Sequence, residues 1–440
     1  MKLHRYPEYK DSGLPWVGEI PAHWETMRAR YLFREVDRRS VKGEETHLSM
    51  SQVHGLVPSK GLNRKSLQSE SYAGGKLVAE DDLVLNRLKA HLGVFARASQ
   101  SGVVSPDYSV FQPSGGASVG YCERLFKTPL YVAEFRRRTK GIVEGFWRLY
   151  TDDFYSVRAL LPPKVEQDKI ITYLRAQDAH IARFIKVKHS ALSLLAEARA
   201  VLADQAIRSD RTQQIRLDRV LRLVSKPIQR MPNEAYTAIG LKNRGRGIFH
   251  KPSSLGRDLG DSIFFPVEEG DFVFSGQFAW EGAVAVAAEA DHGCIASHRY
   301  PIAKCDRDLV LPEYLYTFFL SGKGDLILNH HSRGAAGRNR PLNPRTLLKE
   351  AIPVPPIDLQ YEVLALYKEE LKVKRDVEKE LALIREFRDR QIVDVVTGQV
   401  DVRSWQPGHE DQITEEDLTA LGDVDDDTTE EETDGDDGHE

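Results

Sequence analysis

Cysteine is scarce in this chain. Cys122, Cys294 and Cys305 are the three among 440 residues, too few and too odd a number for a disulfide scaffold, and they fit a reducing compartment. Long apolar runs are also missing. No window approaches the roughly 18 uncharged apolar residues of a membrane span, and the opening MKLHRYPEYKDSG has no apolar signal-peptide core, so a cytoplasmic location is expected. The sequence contains neither GxxxxGK[ST] nor GxGxxG; Gly74-Gly75-Lys76 and Gly322-Lys323-Gly324 are fragments that read as turns. An amino-methyltransferase would carry an AsnProProPhe- or AspProProTyr-like motif, and the Pro-Pro pairs here, LeuProProLys (161–164) and ValProProIle (354–357), lack its amide or carboxylate. A metal-dependent nuclease needs spaced carboxylates followed by lysine, but Pro106-Asp107 and Glu123 have Leu125 where that lysine belongs. His292, Cys294, His298 and Cys305 crowd together without the spacing of a zinc site. No catalytic residue, metal ligand or bound cofactor is therefore assigned to the chain itself.

The chain is 41% hydrophobic and 29% charged, an ordinary globular composition, and its length suggests two to four domains at about 150 residues each. Its net charge of −5 hides a separation. Residues 404–440 hold 16 acidic side chains and no Lys or Arg, which leaves 61 basic against 50 acidic side chains in residues 1–403, a surplus of 11. A basic body with an acidic, disordered tail makes a polyanionic partner plausible.

The sequence also repeats itself. With a shift of 189, ValAlaGluAspAspLeuValLeu (78–85) falls on ValGluGluGlyAspPheValPhe (267–274), and the match continues through Ala90/Ala279, Gly93/Gly282 and Ala96/Ala285. A shift of 193 then aligns ThrLysGly (139–141) with SerArgGly (332–334), Leu149 with Leu342, the two Pro-Pro pairs, and Gln167 with Gln360. Upstream of each Pro-Pro pair, short apolar runs between Gly, Ser, Asn and Asp clusters predict a β-rich module. Downstream, about 40 residues without Pro or Gly predict a long helix. The first helix has a coiled-coil-like seam at Ile181, Ile185, Leu192, Leu195 and Leu202, interrupted by Lys188 and Arg199; the second presents Leu364, Leu371, Leu381 and Ile392. The fold class is thus α+β, with two tandem β-rich modules, two pairing helices and an internal pseudo-two-fold repeat.

Candidate nucleic-acid contacts fall at matching places in the two copies. AsnArgLeuLysAlaHisLeuGly (86–93) corresponds to SerGlyGlnPheAlaTrpGluGly (275–282), so Arg87, Lys89 and His91 face Gln277, Phe278 and Trp280, residue types that read base edges or stack on bases. Arg136, Arg137, Arg138 and Lys140 in one copy, and Arg333, Arg338, Arg340 and Arg345 in the other, suit phosphates. A weaker polar pair is SerMetSerGlnValHisGly (49–55) with IleGlyLeuLysAsnArgGly (239–245).

TyrLysAspSerGlyLeuProTrpValGlyGluIleProAlaHisTrp (9–24), LeuProProLysValGluGlnAspLysIle (161–170) and ValThrGlyGlnValAspValArg (396–403) together resemble the specificity subunits of type I restriction-modification enzymes over residues 9–403. The resemblance implies target-recognition domains at 1–161 and 211–354, spacer helices at 162–210 and 355–403 that run antiparallel, and the tail at 404–440 outside the pattern. It also implies a non-catalytic subunit that reads a bipartite site on double-stranded DNA and docks two methyltransferase subunits, with restriction subunits joining through the complex. S-adenosylmethionine, ATP and Mg would then belong to those partners. Leu359 stands where the first copy has Glu166, so the second Pro-Pro motif is incomplete. The competing readings are a protein-protein adaptor with two homologous modules and a fused enzyme with degenerate motifs.

Overall fold

The computed structural model describes residues 4–51, 55–59, 72–141, 147–334 and 340–411. They form two compact units, one of residues up to Lys188 together with those from Lys379 onward, the other of His189–Glu378.

The first unit is built on a four-stranded antiparallel sheet of β1 (Phe33–Val36), β2 (Leu83–Asn86), β3 (Phe95–Arg97) and β4 (Tyr108–Pro113), in the order β1-β4-β2-β3. Both faces of this sheet are buried, which explains why its strands read as apolar runs rather than as alternating patterns. Leu83, Leu85, Phe95 and Phe111 join the core beneath α1 (Val119–Phe126) and α2 (Pro129–Arg138). Their neighbours Val84, Ala96 and Val110 point into a second core with Leu48, Leu56, Val78 and Val104 from small flanking strands. The period-two side-chain alternation thus divides one apolar run between two cores. Phe95, Phe126, Phe135 and Phe154 are fully buried and pack with centroids 4.9–6.4 Å apart.

After α3 (Lys164–Ile207), the second unit repeats the plan: β5 (Leu221–Leu223), β6 (Phe272–Phe274), β7 (Val284–Val286) and β8 (Ile302–Cys305) in the order β5-β8-β6-β7, followed by α4 (Pro312–Phe319) and α5 (Gly322–His331). Phe272, Phe274 and Ala303 face one core, Val273, Ala285 and Ile302 the other. The sequence duplication is therefore a duplication of topology.

Each copy enters its long helix through the same clamp. The buried Gln167 Nε2 donates to the Pro162 carbonyl (2.8 Å) while its Oε1 accepts the Ser118 amide (2.7 Å). Gln360, at the start of α6 (Ile357–Val396), repeats this with the Pro355 carbonyl (2.7 Å) and the Leu311 amide (2.7 Å). In the first unit the segment before β1 and the segment after α6 close over the helix start. Glu166 accepts from Tyr6 Oη (2.5 Å) and the Trp24 indole (2.9 Å) and pairs with His23 (2.8 Å). Burial and this hydrogen bond raise the Tyr6 hydroxyl well above its usual range. Tyr9 donates to the Gly398 carbonyl (2.9 Å). Gly398 has φ +79°, and a Cβ there would meet Pro21.

The two long helices run antiparallel within each unit. Tyr173 pairs with Gln391, Asp178 with Arg388 and Lys188 with Glu380 in the first, and Arg199 with Glu370 and Arg211 with Asp358 in the second. Their polar interruptions are used in pairing. Burial raises the Asp178 carboxyl, but the Arg124 and Arg388 guanidiniums outweigh it and hold the group below its usual range. Arg199 is buried, bound to Glu370 (2.7 Å) and Thr317 (2.5 Å). Ile185 is buried and Ile181, Leu192, Leu195, Leu202, Leu364 and Ile392 are half-buried. Leu371 is a correction. It is 37% exposed, because the seam of α6 runs through Val363, Tyr367, Glu370, Lys374, Val377 and Leu381, and an apolar-only reading skips its charged members. The tail expectation is corrected as well. Residues 404–411 pack on α3, with Trp405 buried against Tyr173 and Asp411 bound to His180 (2.7 Å); residues 412–440 lie outside the described residues.

Candidate nucleic-acid interface

In each module a short 3-10 segment follows the second sheet strand, at Arg87–Leu92 and at Ala279–Glu281. Both end on a left-handed glycine, Gly93 (φ 73°) and Gly282 (φ 72°), a conformation that glycine adopts without strain. Ala90 and Ala279 plug each segment into its core. The adjoining chain is tied down identically: the Leu149 amide donates to the Arg87 carbonyl (3.1 Å), and the Leu342 amide donates to the Gly276 carbonyl (2.8 Å). Lys140 bridges Arg148, and Ser332 bridges Leu342, which is the neighbouring step of the same antiparallel ladder once the copies are superposed. The 3-10 segment and the chain around residues 147 or 340 therefore share a surface in both modules.

Within the first module, Arg87 is engaged with Asp107, its Nε donating to the backbone carbonyl (2.8 Å) and its NH2 3.9 Å from the carboxylate. Asp107, considered above as half of a nuclease pair, is thus an anchor, and Glu123 is paired with Lys127 (2.6 Å). Lys89 is exposed. His91 stands edge-on to Trp147 (5.4 Å), with its Nδ1 buried and unpartnered among the described residues. Of the basic cluster, Arg137 and Arg138 both bind the buried Glu134, at 2.9 and 2.6 Å, and Lys140 binds Asp153 (2.9 Å). Burial raises the Glu134 carboxyl, yet these two arginines hold it below its usual range. Only part of that cluster is available to an outside anion, Arg136 being exposed.

The second module presents more open positive charge. Trp280 donates its indole N–H to the Gln277 carbonyl (3.1 Å), its own carbonyl accepts from Asn329 (3.3 Å), and the Arg340 guanidinium lies over its ring, 4.8 Å from the centroid. Arg333 folds onto His330 through its Nε (3.1 Å), and Arg345 is exposed; Arg338 lies outside the described residues. The 239–250 hairpin meets the same segment, since the Arg244 and Gly245 amides donate to the Glu281 and Gly282 carbonyls (2.9 and 2.8 Å). Its counterpart in the first module is partly outside the described residues, at 52–54. Arg244 belongs to the weaker candidate segment 239–245, whereas Trp147 is not among the sequence candidates; the repeat alignment carries the signal for it, because the shift of 193 sets it against Arg340.

The cysteine-histidine cluster does not assemble a metal site among the described residues. Cys294 Sγ lies 3.8 Å from His250, which binds Asp291 (2.7 Å), while Cys305 sits on β8 with its thiol pushed up to about 12 by burial. His330, His331 and Glu350 have ligand atoms within 4.8 Å of one another, but His331 is already held by Thr346 and Glu350, each at 2.8 Å.

No family model and no curated protein matches the chain. Several solved structures are similar, three of them as follows. One, described under "Structural basis underlying complex assembly and conformational transition of the type I R-M system", aligns with TM-score 0.56 at 13% identity, covering 86% of this chain and 99% of that one. The HsdS subunit from Thermoanaerobacter tengcongensis aligns with TM-score 0.41 at 14% identity, covering 86% and 97%. The type I restriction-modification S subunit from M. genitalium aligns with TM-score 0.36 at 10% identity, covering 85% and 96%. The first likeness establishes the architecture: this chain has the fold of a type I restriction-modification system component.

Proposed function

We propose that the chain is the DNA-specificity subunit of a type I restriction-modification complex, non-catalytic in itself, that reads a bipartite target on double-stranded DNA with one half-site per module. The observation that carries this reading is the duplicated surface. Two modules of one topology hold the same backbone frame, with the same carbonyl–amide tie at 87/149 and 276/342, yet fill it with different polar and aromatic side chains. A constant frame with changing tips is what two half-sites of unlike sequence require.

Docking of methyltransferase subunits on the helices draws support from a second apolar stripe. Val187, Leu194 and Val201 recur every seven residues along α3 and are exposed, as are Leu383 and Phe387 on α6. A heptad stripe facing water suits a partner helix. S-adenosylmethionine, ATP and Mg would be bound by those partners, with restriction subunits joining through them, in the cytoplasm; no helix of the described residues is long and apolar enough to cross a membrane.

The test is binding of the purified chain to duplex DNA across salt. Neutralisation of Z phosphates predicts a log-log slope near −0.9Z, so about six contacts give a slope near −5. A salt-insensitive, weak association would instead favour the adaptor reading.

A further inference from the structure

We propose that Arg340 is a guanine-reading residue of the second module and that Trp280 is its platform. This rests on the DNA-recognition reading above and assigns a target base to one position within it. From the sequence, Arg340 is expected among phosphate contacts and Trp280 among base contacts; the geometry points to Arg340 as the base contact and Trp280 as its support.

Four observations carry the assignment. Trp280 is fixed at both ends, its indole N–H on the Gln277 carbonyl and its backbone carbonyl on Asn329, and it follows the fully buried Ala279. An indole so tied, with Arg340 over its face at 4.8 Å, serves better as a cation–π support than as a surface for an incoming base. Second, Arg340 is held from its own backbone side, because Leu342, two residues on, is locked to Gly276. Third, Arg340 is exposed and makes no ion pair among the described residues, unlike Arg137, Arg138 and Lys140, whose acidic partners lie alongside. Its charge and its N–H donors remain for a ligand. A phosphate contact needs only a mobile positive charge, whereas bidentate reading of guanine O6 and N7 is best served by a planar fork held in place, which lowers the ordering cost on binding.

The fourth observation is the repeat. Positions 280 and 340 correspond, by the shifts of 189 and 193, to 91 and 147, and the first module brings those two together as well, as His91 edge-on to Trp147. The same pair of positions meets in both modules while its chemistry changes, from a histidine–tryptophan pair to a tryptophan–arginine pair. That is how a specificity-determining pair on a constant frame would look, with Arg340 exposed to a ligand.

The experiment enriches a pool of random-sequence duplex DNA on the purified full-length chain and on Arg340→Ala, Arg340→Lys and Trp280→Leu, with circular dichroism confirming equal folding. The wild type should recover a two-part motif with a strongly preferred guanine in one part. Arg340→Ala should lose about 5- to 150-fold of the discrimination at that one position, all other positions being retained, and Arg340→Lys, which keeps a donor but not the fork, should lose less. Trp280→Leu should weaken the same guanine preference and no other. Retention of the guanine preference by Arg340→Ala, with affinity lowered equally for all sequences, would show a contact to phosphate and overturn the assignment. Loss at a different position in Trp280→Leu would make the tryptophan a base contact itself and overturn the platform role. Failure of the wild type to enrich any sequence would remove the recognition reading altogether, a result distinguishable from failure of the Arg340 assignment.

Discussion

Replacing Glu166 by leucine, the residue that the second copy carries at the matching position, should release the chain segments that close the first module. Glu166 is buried and serves three partners: Tyr6 Oη at 2.5 Å, the Trp24 indole at 2.9 Å and His23 at 2.8 Å. Trp24 is fully buried and Tyr6 nearly so, and neither has another acceptor for these protons among the described residues. Leucine would leave two buried donors unsatisfied, at about 1–3 kcal/mol each, so a cost of about 3–5 kcal/mol is expected once partial relaxation is allowed. Glutamine behaves differently. Its carbonyl oxygen can keep both Tyr6 and Trp24, and its NH2 can donate to a neutral His23 ring, so about 1 kcal/mol or less is expected. The assay is hydrogen exchange of the strands Tyr9–Asp11 and Glu19–Pro21, which pair with each other beside this carboxylate. Exchange there should accelerate by about 150- to 5,000-fold in Glu166→Leu and by less than about tenfold in Glu166→Gln, with the second module unchanged. Equal protection in the leucine variant and the wild type would refute the claim that this carboxylate pins the N-terminal segment over the helix start.

Three further outcomes follow from the structure. Asp178→Ala should destabilise the first unit by about 2–3 kcal/mol at pH 7, below the full cost of breaking a buried pair because Arg124 and Arg388 remain about a quarter exposed, as urea unfolding would show. Since the folded Asp178 carboxyl is held below its unfolded value, its contribution is present above about pH 4 and is lost as pH falls through the folded value, so the difference between variant and wild type should shrink at pH 3. Removing residues 412–440, which takes away 14 acidic side chains and spares the packed Trp405, should preserve or strengthen DNA affinity in an anisotropy titration; loss of binding would count against a basic body as the DNA-binding part. Lys89→Ala should relax discrimination in one half-site by about 1–3 kcal/mol and Gln277→Ala in the other, with Arg87→Ala weaker than Lys89→Ala because Arg87 is tied to Asp107; an equal effect of any one variant on both halves would contradict one module per half-site.

The duplicated frame was legible because its shift-related positions are backbone anchors: Ala90 and Ala279 fill cores, Gly93 and Gly282 take left-handed turns, and Gln167 and Gln360 clamp the helix starts. Such positions tolerate little, so the repeat survives there. The helix seam was less legible. Its pairing uses Asp178, Arg199, Glu370 and Arg388, which an apolar pattern counts as interruptions, and Leu371 was assigned to the seam for that reason. The candidate interface was the least legible. Whether an arginine is free or already paired depends on acids near it in space, as with Glu134 and Asp153, and the approach of residue 147 to 91 or 340 to 280 depends on a bridge, Lys140 to Arg148 or Ser332 to Leu342, that no local pattern announces.

The most direct test of DNA specificity is a map of N6-methyladenine across the genome of a host carrying this gene, compared with the same host lacking it and with the gene restored. The account predicts that one asymmetric, two-part motif loses methylation at all its sites on deletion and regains it on restoration, every other methylated motif being unchanged. A genome whose methylated motifs are identical in all three strains would contradict it.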